Sequence, residues 1–242
     1  PLIGIPLLLI AGFVVFKFGL MDTGGGGVAN IAQLLQTGAN LKEEVYDKAE
    51  VAAALAEDDK NPLPEYVSLA KFAPQRLDQG EQGSCVGWGS SYAARTILES
   101  AATGASPDDI AMSPSFVYNQ IGLEDCQGAY IINACKVMQQ VGDIPKKYFE
   151  YTDQSCQRKP NQELLQNAQQ FKIRGYERLS VDGDEYTTDF YAIKQYLAKG
   201  APVICGMMVG GSFMQDMYGK KTWLPNEYDY SMEGFGGHCM CI

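Results

Sequence analysis

Residues 79–88 read QGEQGSCVGW and place one cysteine, Cys85, between a glycine-containing approach and a run of small and apolar residues. Residues 85–102 contain no proline and are mostly small or apolar, which predicts a buried helix that begins near Cys85. The unpaired N–H groups and the dipole at the start of a helix favour a thiolate. Cys85 is therefore either a buried core thiol or a nucleophile activated at a helix start.

A cysteine nucleophile needs a base, and the sequence contains a single histidine, His238. The two residues are about 150 positions apart, a separation that suits groups brought together only by folding. Gln79 lies six residues before Cys85. Its side-chain amide and the backbone N–H of Cys85 are candidate donors to an oxyanion. The residues alone thus indicate an acyl-transfer site.

The pattern of elements changes along the chain. Helices are predicted first and strands later, an order that favours an α+β fold with two lobes over alternating βαβ units. The predicted helices are 85–102, 114–121, 130–141 with Gly142 at its end, and 188–200. The predicted strands are 171–180, 201–209 and 236–242.

The N-terminal segment, residues 1–20, is almost continuously apolar, with Lys17 near its end. About 20 such residues in a helix span a bilayer, so residues 1–21 are predicted to be a retained transmembrane anchor. A secretory signal peptide and a buried core helix are the alternatives.

Residues 22–61 are predicted to be a linker with a helix over 40–57, capped by Asn40, before a folded domain at 62–242. The four glycines at 24–27 lack the preceding strand and the following Gly-Lys-Ser/Thr of a phosphate loop.

Several segments resemble, in the family's order, the papain-like (C1 family) cysteine peptidases, most closely the bacterial type. They are LPEYVSLAKFAP (63–74), QGEQGSCVGW (79–88), MSPSFVYNQI (112–121), CQGAY (126–130), YFEYTDQSC (148–156), GAPVICGMMV (200–209) and GGHCMCI (236–242). The resemblance implies a papain-like two-lobed fold, in which a helical lobe carries the cysteine and a β-rich lobe carries the histidine.

The resemblance also implies roles for single residues. Cys85 would be the nucleophile, His238 the general base and acid, and Gln79 a donor to the oxyanion. Gly128 and Ala129 would line the cleft, with Gly128 beside the backbone of an antiparallel substrate. Neither a metal nor an organic cofactor is required.

A disulfide between Cys126 and Cys156 is also implied, and such a bridge would indicate an oxidising compartment. The remaining thiols, Cys135, Cys205, Cys239 and Cys241, are interpreted as core residues. A metal site of Cys205, His238, Cys239 and Cys241 is disfavoured because residues 238 and 239 point to opposite faces of a strand.

The sequence departs from the family's pattern at three points. Ala129 stands where the family has a second glycine, and Val86 follows the nucleophile in place of tryptophan, with Trp88 as a substitute aromatic. The asparagine that orients the histidine in this family has no match, since Asn226 precedes His238. We expect that residue and the remaining strands to lie beyond Ile242. Trp223, Tyr218 and residues 228–230 either line the cleft or pack on the surface.

The first functional hypothesis is a membrane-tethered cysteine endopeptidase with its catalytic domain on the periplasmic or extracytoplasmic side. The alternative is a silent or occluded papain-like accessory subunit of a membrane protein complex. Residues 30–61 are either a spacer or a short segment that covers the cleft. A transamidase with the same Cys–His pair is a third hypothesis. Nucleic acid is disfavoured as a partner, because the net charge is −10 and no Lys/Arg cluster occurs.

Overall fold

The structure is a computed structural model that describes residues 10–15, 38–46, 49, 51, 62–181, 187–210, 212–213, 222–230 and 236–242. Its helices are α1 (Glu43–Tyr46), α2 (85–103), α3 (Pro114–Ile121), α4 (Ile131–Gln140), α5 (Gln162–Ala168), α6 (Phe190–Ala198) and α7 (Glu227–Tyr230). Single 3₁₀ turns lie at Ala70–Phe72, Glu124–Cys126, Lys146–Tyr148 and Gln169–Phe171. The strands are β1 (Ile10–Val15), β2 (Gly175–Arg178), β3 (Ser180–Val181), β4 (Thr187–Thr188), β5 (Val203–Val209) and β6 (Gly236–Cys241).

Helices α3 and α4 confirm the sequence prediction to within a residue at each end, because their boundaries are set by local chemistry. Ser113 caps α3: its Oγ accepts the N–H of Phe116 at 3.1 Å, and Pro114 takes the first helical position. Gly142, with φ of +103°, follows α4 and donates its N–H to the carbonyl of Val137 at 2.9 Å. A left-handed residue of this kind is a common way to end a helix.

Helix α2 begins at Cys85 as predicted, but its middle is wider than an α-helix. It is α-helical over Cys85–Gly87, π-helical over Trp88–Arg95 and α-helical again over Thr96–Thr103. The hydroxyl of the buried Ser90 donates a hydrogen bond to the carbonyl of Val86, four residues earlier in the same helix. Long π-helical segments are rare, and they occur often near functional sites.

One four-stranded sheet has the order β2-β1-β5-β6, and β3 and β4 form a separate antiparallel pair. β1 is parallel to both of its neighbours, whereas β5 and β6 are antiparallel, with Met207 opposite His238. A large apolar cluster joins α2, α3 and α4 to β5 and β6, and a second, smaller cluster packs α6 against β5. The helices and the sheet therefore confirm the predicted α+β class.

The strand β1 differs from the transmembrane helix predicted for residues 1–21. Residues 10–15 pair instead with β2 and β5, and the rest of that segment lies outside the described residues. A short apolar, β-branched run is equally compatible with a buried strand, and periodicity does not separate the two. Within the ranges that the structure describes, no helix is both long and apolar enough to cross a membrane.

Helix α1 is shorter than the helix predicted over residues 40–57. Asn40 does accept the N–H of Lys42 at 3.2 Å, but the helix ends at Tyr46, and Val51 already bridges to Arg178 of β2. The reason is tertiary: Tyr46 is fully buried, and its carbonyl accepts a hydrogen bond from the Arg178 guanidinium at 3.2 Å. Packing of Tyr46 therefore accompanies the end of α1, and residues 52–57 of the predicted helix lie outside the described residues.

The predicted disulfide is confirmed: Cys126 and Cys156 are bonded, with their Cα atoms 5.8 Å apart. It links the 3₁₀ turn before Gly128 to the loop that follows Tyr151. A cross-link that closes a loop of about 30 residues stabilises a fold by roughly 3–4 kcal/mol in the chain-entropy account.

Loss of this bridge should therefore lower the free energy of unfolding by about 3 kcal/mol. The measurement is urea denaturation of the parent with and without reductant. The double variant Cys126→Ala/Cys156→Ala is the control, and reductant should not change its midpoint. An equal response of parent and variant to reductant would contradict the assignment.

Candidate active site

Cys85 is the first residue of α2, and its side chain is 1% exposed. Burial raises the pKa of its thiol to about 11, although hydrogen bonds from the backbone N–H groups of Cys239 and Gly38 act in the opposite direction. These contacts place the thiol against the strand that carries His238 and also against a segment from the N-terminal part of the chain. In this arrangement Cys85 is a neutral thiol at pH 7.

His238 lies on β6, next to Cys239, and its buried imidazole Nδ1 has no hydrogen-bond partner in the part of the chain that the structure describes. Burial lowers the pKa of this histidine below its usual value of 6.5. The ring of Phe213 packs on the imidazole at a centroid distance of 5.8 Å. Among the described residues, no hydrogen bond joins the imidazole to the Cys85 thiol, which instead contacts the backbone of residue 239. The Cys85 thiol thus contacts the residue that follows His238, and both groups of the predicted pair are uncharged.

Gln79 lies in the loop that leads into α2, and its Nε2 donates to the carbonyl of Gln82 at 3.0 Å. The carbonyl of Gln79 accepts the hydroxyl of Tyr151 at 2.6 Å, and that hydroxyl also meets Ser84 Oγ at 2.6 Å. Trp88 packs edge-on against Tyr151 at 4.7 Å. Trp88, which substitutes for the tryptophan that the family has directly after the nucleophile, therefore packs against the tyrosine that holds the loop before Cys85.

Residues 38–46, which we call the cleft segment, run past Cys85 between Ala129 on one side and Gly237 on the other. Ala129 donates its N–H to the carbonyl of Gly38 at 2.7 Å and accepts the N–H of Asn40 at 2.9 Å. Ala39 donates its N–H to the carbonyl of Gly237 at 2.9 Å. The chain's own backbone thus occupies the place where Gly128 and Ala129 were predicted to hold a substrate.

Three glycines permit this close approach. A Cβ added to Gly38 would lie 1.8 Å from the carbonyl oxygen of Gly83. One added to Gly237 would lie 1.9 Å from the carbonyl oxygen of Ala39. Gly128, with φ of +100°, lies so close to Gly38 that its Cβ would fall 2.6 Å from that carbonyl oxygen. The obstructing atoms all belong to the backbone, so side-chain rotation would not relieve the contacts.

The direction of the cleft segment is opposite to the direction predicted for a substrate. The bridge between Ala39 and Ala129 is parallel, whereas a substrate was predicted to pair antiparallel beside Gly128. Cys85 therefore faces peptide bonds presented in the reverse sense. An occupant held in this way covers the thiol without offering it a productively oriented carbonyl.

Residues 30–61 were open to two interpretations in the sequence, and the described part of that range contacts the cleft. The contact of Phe213 with His238 and the burial of Tyr46 were not predicted. Trp223, one of the residues expected to line the cleft or pack on the surface, packs edge-on against Phe213 at 5.4 Å. No local pattern marks these contacts, because each joins residues that are far apart in the sequence. Tyr218 lies outside the described residues.

A cluster of polar residues near Phe213 fixes the chain before β6. Asp229 is 1% exposed, and its carboxylate accepts hydrogen bonds from the Ser212 hydroxyl and from the N–H groups of Ser212 and Asn226. Trp223 Nε1 donates to Ser212 Oγ at 2.9 Å. Asn226 thus serves this cluster through its backbone, consistent with its failure to match the family's orienting asparagine.

The four residues considered as a metal site do not form one. In the described part of the chain, no three side chains of His, Cys, Asp or Glu are grouped so that they could hold a metal ion. The register of β5 and β6 pairs Cys205 with Met240 and Cys239 with Gly206. The cysteines of these strands lie in or beside the large apolar cluster, and burial raises the pKa values of their thiols.

Asp143 contacts helix α2 through the hydroxyl of Ser91. Its carboxyl is fully buried, lies 2.6 Å from Ser91 Oγ, and accepts the N–H of Ile144 at 2.8 Å. Ser91 Oγ also lies 2.8 Å from the carbonyl oxygen of Ser113, and one hydroxyl proton serves only one of these acceptors. A protonated Asp143 satisfies both contacts. Burial indeed raises the pKa of Asp143 to about 7.

Asp143→Asn should therefore reduce the pH dependence of stability. The folded state holds a proton on Asp143 up to about pH 7, whereas the unfolded chain loses it near pH 4. Stability conferred by this group is complete at low pH and falls as the pH rises from about 4 to 7, by up to about 1.4 kcal/mol per unit. An asparagine amide donates to Ser91 without titrating.

The measurement is the free energy of unfolding in urea at several pH values between 4 and 8. The exposed Asp109 provides the control, since Asp109→Asn should leave the slope of the parent unchanged. Parallel curves for the parent and Asp143→Asn would show that Asp143 is ionised when folded.

Comparison with solved structures identifies the architecture. The structure of xylellain, a cysteine protease from Xylella fastidiosa, matches with a TM-score of 0.60 at 25% sequence identity, over 81% of this chain and 74% of that one. A procathepsin B from Trypanosoma congolense matches with a TM-score of 0.55 at 14% identity, over 87% of this chain and 72% of that one. The chain has a papain-like fold. No protein-family profile matches the sequence, and no curated protein does.

The papain-like fold explains why the segments quoted from the sequence occur in that order. It places the start of α2 against β6, so that the Cys85 thiol contacts the backbone of Cys239, the residue that follows His238. The loop at 126–129 and residue 237 form opposite sides of one cleft, which the cleft segment fills in this structure.

Proposed function

We propose that this protein is a cysteine endopeptidase that hydrolyses peptide bonds with Cys85 as nucleophile. The observation that carries the proposal is that an extended peptide segment lies against Cys85 and is held by the backbone of Ala129 and Gly237. A cleft that binds main-chain groups in this way accepts many sequences, as a peptidase requires. The papain-like fold and the likeness to xylellain support the same activity.

The proposed reaction begins with transfer of the Cys85 proton to the His238 imidazole. The thiolate attacks the scissile carbonyl carbon, and the backbone N–H of Cys85 and the Gln79 amide donate to the oxyanion. His238 returns its proton to the leaving amine, so that the C–N bond breaks and an acyl-thioester remains. Water then attacks the thioester with His238 as base, which releases the carboxylic acid and restores the thiol.

The occluded accessory subunit is the second candidate, and the cleft segment is the observation that favours it. With residues 38–40 in place, Cys85 is 1% exposed and its pKa is raised, so the thiol neither meets substrate nor ionises at neutral pH. In our account this is the resting form of an enzyme. The two candidates differ in whether displacement of the cleft segment reveals activity.

The test uses protein in which the cleft segment has been displaced. This protein is incubated with casein in ¹⁸O-labelled water, and the casein fragments are analysed by mass spectrometry. A peptidase incorporates one ¹⁸O into each new carboxyl terminus during deacylation. A transamidase instead yields fragments joined to an added amine without the label. Casein that remains intact after displacement of the segment would favour the accessory subunit.

We further propose an extracytoplasmic location, which the Cys126–Cys156 disulfide supports because such bonds persist in oxidising compartments. The apolar residues 1–20 are our candidate membrane tether, and in that arrangement residues 10–15 would lie in the bilayer instead of pairing as β1. Extraction of membranes with alkaline carbonate tests the tether, since an integral anchor stays in the membrane pellet. Release of the whole protein into the supernatant would indicate that residues 10–15 pair in the sheet as β1 and do not anchor the chain.

A further inference from the structure

Cys239 places a second thiol beside the proposed nucleophile. The sulfur of Cys85 accepts a hydrogen bond from the backbone N–H of Cys239. Because that nitrogen is bonded to the Cα of Cys239, the Cys85 sulfur lies beside the point at which the Cys239 side chain begins. The two cysteines are 1% and 3% exposed and belong to the same large apolar cluster. The strand that carries His238 thus also brings a free cysteine to the site.

The Cys239 side chain points toward helix α2, which begins at Cys85. A Cβ added to Gly89 would lie 2.8 Å from the Cys239 sulfur, so this sulfur packs on the helix at a position that has no side chain. Gly89 follows Cys85 by four residues, which is about one helical turn and places both on one face of α2. The N–H of Cys239 therefore contacts Cys85, and the sulfur of Cys239 lies about one turn further along the same helix.

The other two cysteines of the sheet are placed differently. Cys205 pairs with Met240, and residues 239 and 240 point to opposite faces of β6, so Cys205 lies on the face away from Cys239. Cys241 shares the face of Cys239, but it lines a cavity together with Ile97, which is roughly 18 Å along α2 from Cys85. Of the cysteines on β5 and β6, Cys239 is therefore the one that can meet the nucleophile.

The geometry brings a disulfide between residues 85 and 239 within reach. A disulfide holds its two Cβ atoms about 4 Å apart. The contact of the Cys85 sulfur with the Cys239 main chain brings the side chains close to that range, and rotation of the Cys239 sulfur from Gly89 toward Cys85 would join them. Gly38 of the cleft segment also contacts the Cys85 sulfur, so an oxidant reaches this thiol when the segment is displaced.

We propose that Cys85 and Cys239 form a redox site, at which hydrogen peroxide converts the uncovered nucleophile into a Cys85–Cys239 disulfide. The proposal goes beyond peptide hydrolysis and rests on the activated thiol of the proposed function. The Cys85 thiolate attacks one peroxide oxygen, so that an S–O bond forms, the O–O bond breaks and hydroxide takes the proton held by His238. The Cys239 sulfur then attacks the sulfur of this sulfenic acid, and the hydroxyl leaves with the Cys239 proton as water.

In this reaction two thiols are oxidised by two electrons in total, and one peroxide is reduced to two molecules of water. The disulfide stops peptide hydrolysis because the nucleophile is bonded. It also keeps Cys85 from further oxidation to a sulfinic acid, which thiol reductants do not reverse. A reductant therefore restores the site.

The test uses the full chain with Gly38→Ala, whose added methyl group displaces the cleft segment. The protein is treated with a small molar excess of hydrogen peroxide at pH 7, blocked with iodoacetamide in denaturant and digested with trypsin without reduction. Cys85 lies in the peptide 77–95, and Cys239 lies in the peptide that begins at residue 222. We expect these two peptides to be joined. Sulfinic acid at Cys85 without joined peptides would overturn the proposal.

Cys239 and Cys241 share one tryptic peptide, so single variants in the Gly38→Ala chain assign the bridge. Cys239→Ala should lose the joined peptides. After peroxide and then dithiothreitol, we expect about tenfold less alkylation of Cys85 in this variant than in Gly38→Ala alone. Cys241→Ala and Cys205→Ala are the matched controls, and both should retain the bridge. Joined peptides that persist in Cys239→Ala would contradict the assignment.

Two further measurements separate this proposal from the peptidase function. If iodoacetamide alkylates Cys85 in the reduced Gly38→Ala chain but peroxide yields no bridge, the redox site alone fails. If the bridge forms and casein stays intact after reduction, the peptidase function alone fails. If neither iodoacetamide nor peroxide modifies Cys85 in Gly38→Ala or Gly237→Ala, both proposals fail.

Discussion

Gly38→Ala is expected to raise the rate at which an epoxide probe modifies Cys85 at pH 7 by about 100-fold. The added methyl group has no room, since it would lie 1.8 Å from the backbone oxygen of Gly83. The cleft segment would lose the three backbone hydrogen bonds that hold residues 38–40, at about 1 kcal/mol each. A total of about 3 kcal/mol corresponds to roughly a hundredfold shift toward the open cleft.

Two matched variants accompany this measurement. Gly175→Ala introduces the same methyl group in β2, where no described atom outside the adjacent residues lies within 4 Å, and it should leave the modification rate unchanged. Gly237→Ala obstructs the segment from the opposite side, 1.9 Å from the Ala39 oxygen, and should also raise the rate. Rates that stay at the parent value in both Gly38→Ala and Gly237→Ala would mean that the segment does not control access to the thiol.

Cys85→Ala, made in the Gly38→Ala background, should abolish peptide hydrolysis. Removal of the nucleophile from an enzyme of this mechanistic type lowers kcat by roughly 10⁴- to 10⁶-fold, and the remainder comes from binding and oxyanion stabilisation alone. The measurement is turnover of a fluorogenic peptide, with thermal unfolding recorded to confirm that the variant folds.

Cys205→Ala is the control for loss of a buried thiol. Cys205 is buried much as Cys85 is, at 3% exposure, and burial raises its thiol pKa to about 12. It lies on β5 opposite Met240, and not at the start of α2 beside the cleft segment, so it is a buried thiol outside the proposed site. Its replacement should leave turnover within a factor of about three while lowering stability by about 1 kcal/mol. Equal losses of turnover in the two variants would contradict the assignment of Cys85 as the nucleophile.

The helical part of the fold could be predicted from the sequence because local signals define it. Ser113 and Pro114 begin α3, Gly142 ends α4, and Cys85 begins α2, as predicted. These boundaries depend on capping bonds and backbone angles that act over a few residues. Strands β2, β5 and β6 lie within the segments predicted as strands from their composition, whereas β1 was not predicted.

The placement of the N-terminal part could not be predicted, because long-range contacts decide it. A continuous apolar run fits either a membrane helix or a buried strand, and the pairing of residues 10–15 with β2 and β5 is not encoded locally. In the same way, Tyr46 ends α1 by packing against residues some 85 positions away. The pairing of residues 38–40 with Ala129 and Gly237 depends on glycines that are far apart in the sequence, and no local sequence pattern links them.

The electrostatic state of the site was also not predictable from motif alone. The motif indicates a thiolate paired with an imidazolium, whereas the folded chain buries both groups and leaves each neutral. Burial disfavours the charged forms of both groups, and the cleft segment contributes to that burial. Activation in this account therefore means uncovering the thiol and allowing His238 to approach it.

The pH dependence of Cys85 alkylation by iodoacetamide in Gly38→Ala tests the central claim most directly. If displacement of the cleft segment allows the thiolate–imidazolium pair to form, the rate should remain high from about pH 5 to 8. That plateau should disappear in the double variant Gly38→Ala/His238→Ala, whose thiol would react only at alkaline pH. A rate that instead rises with a single pKa above about 9 in Gly38→Ala, with or without His238, would contradict the proposal that Cys85 is the activated nucleophile of a peptidase.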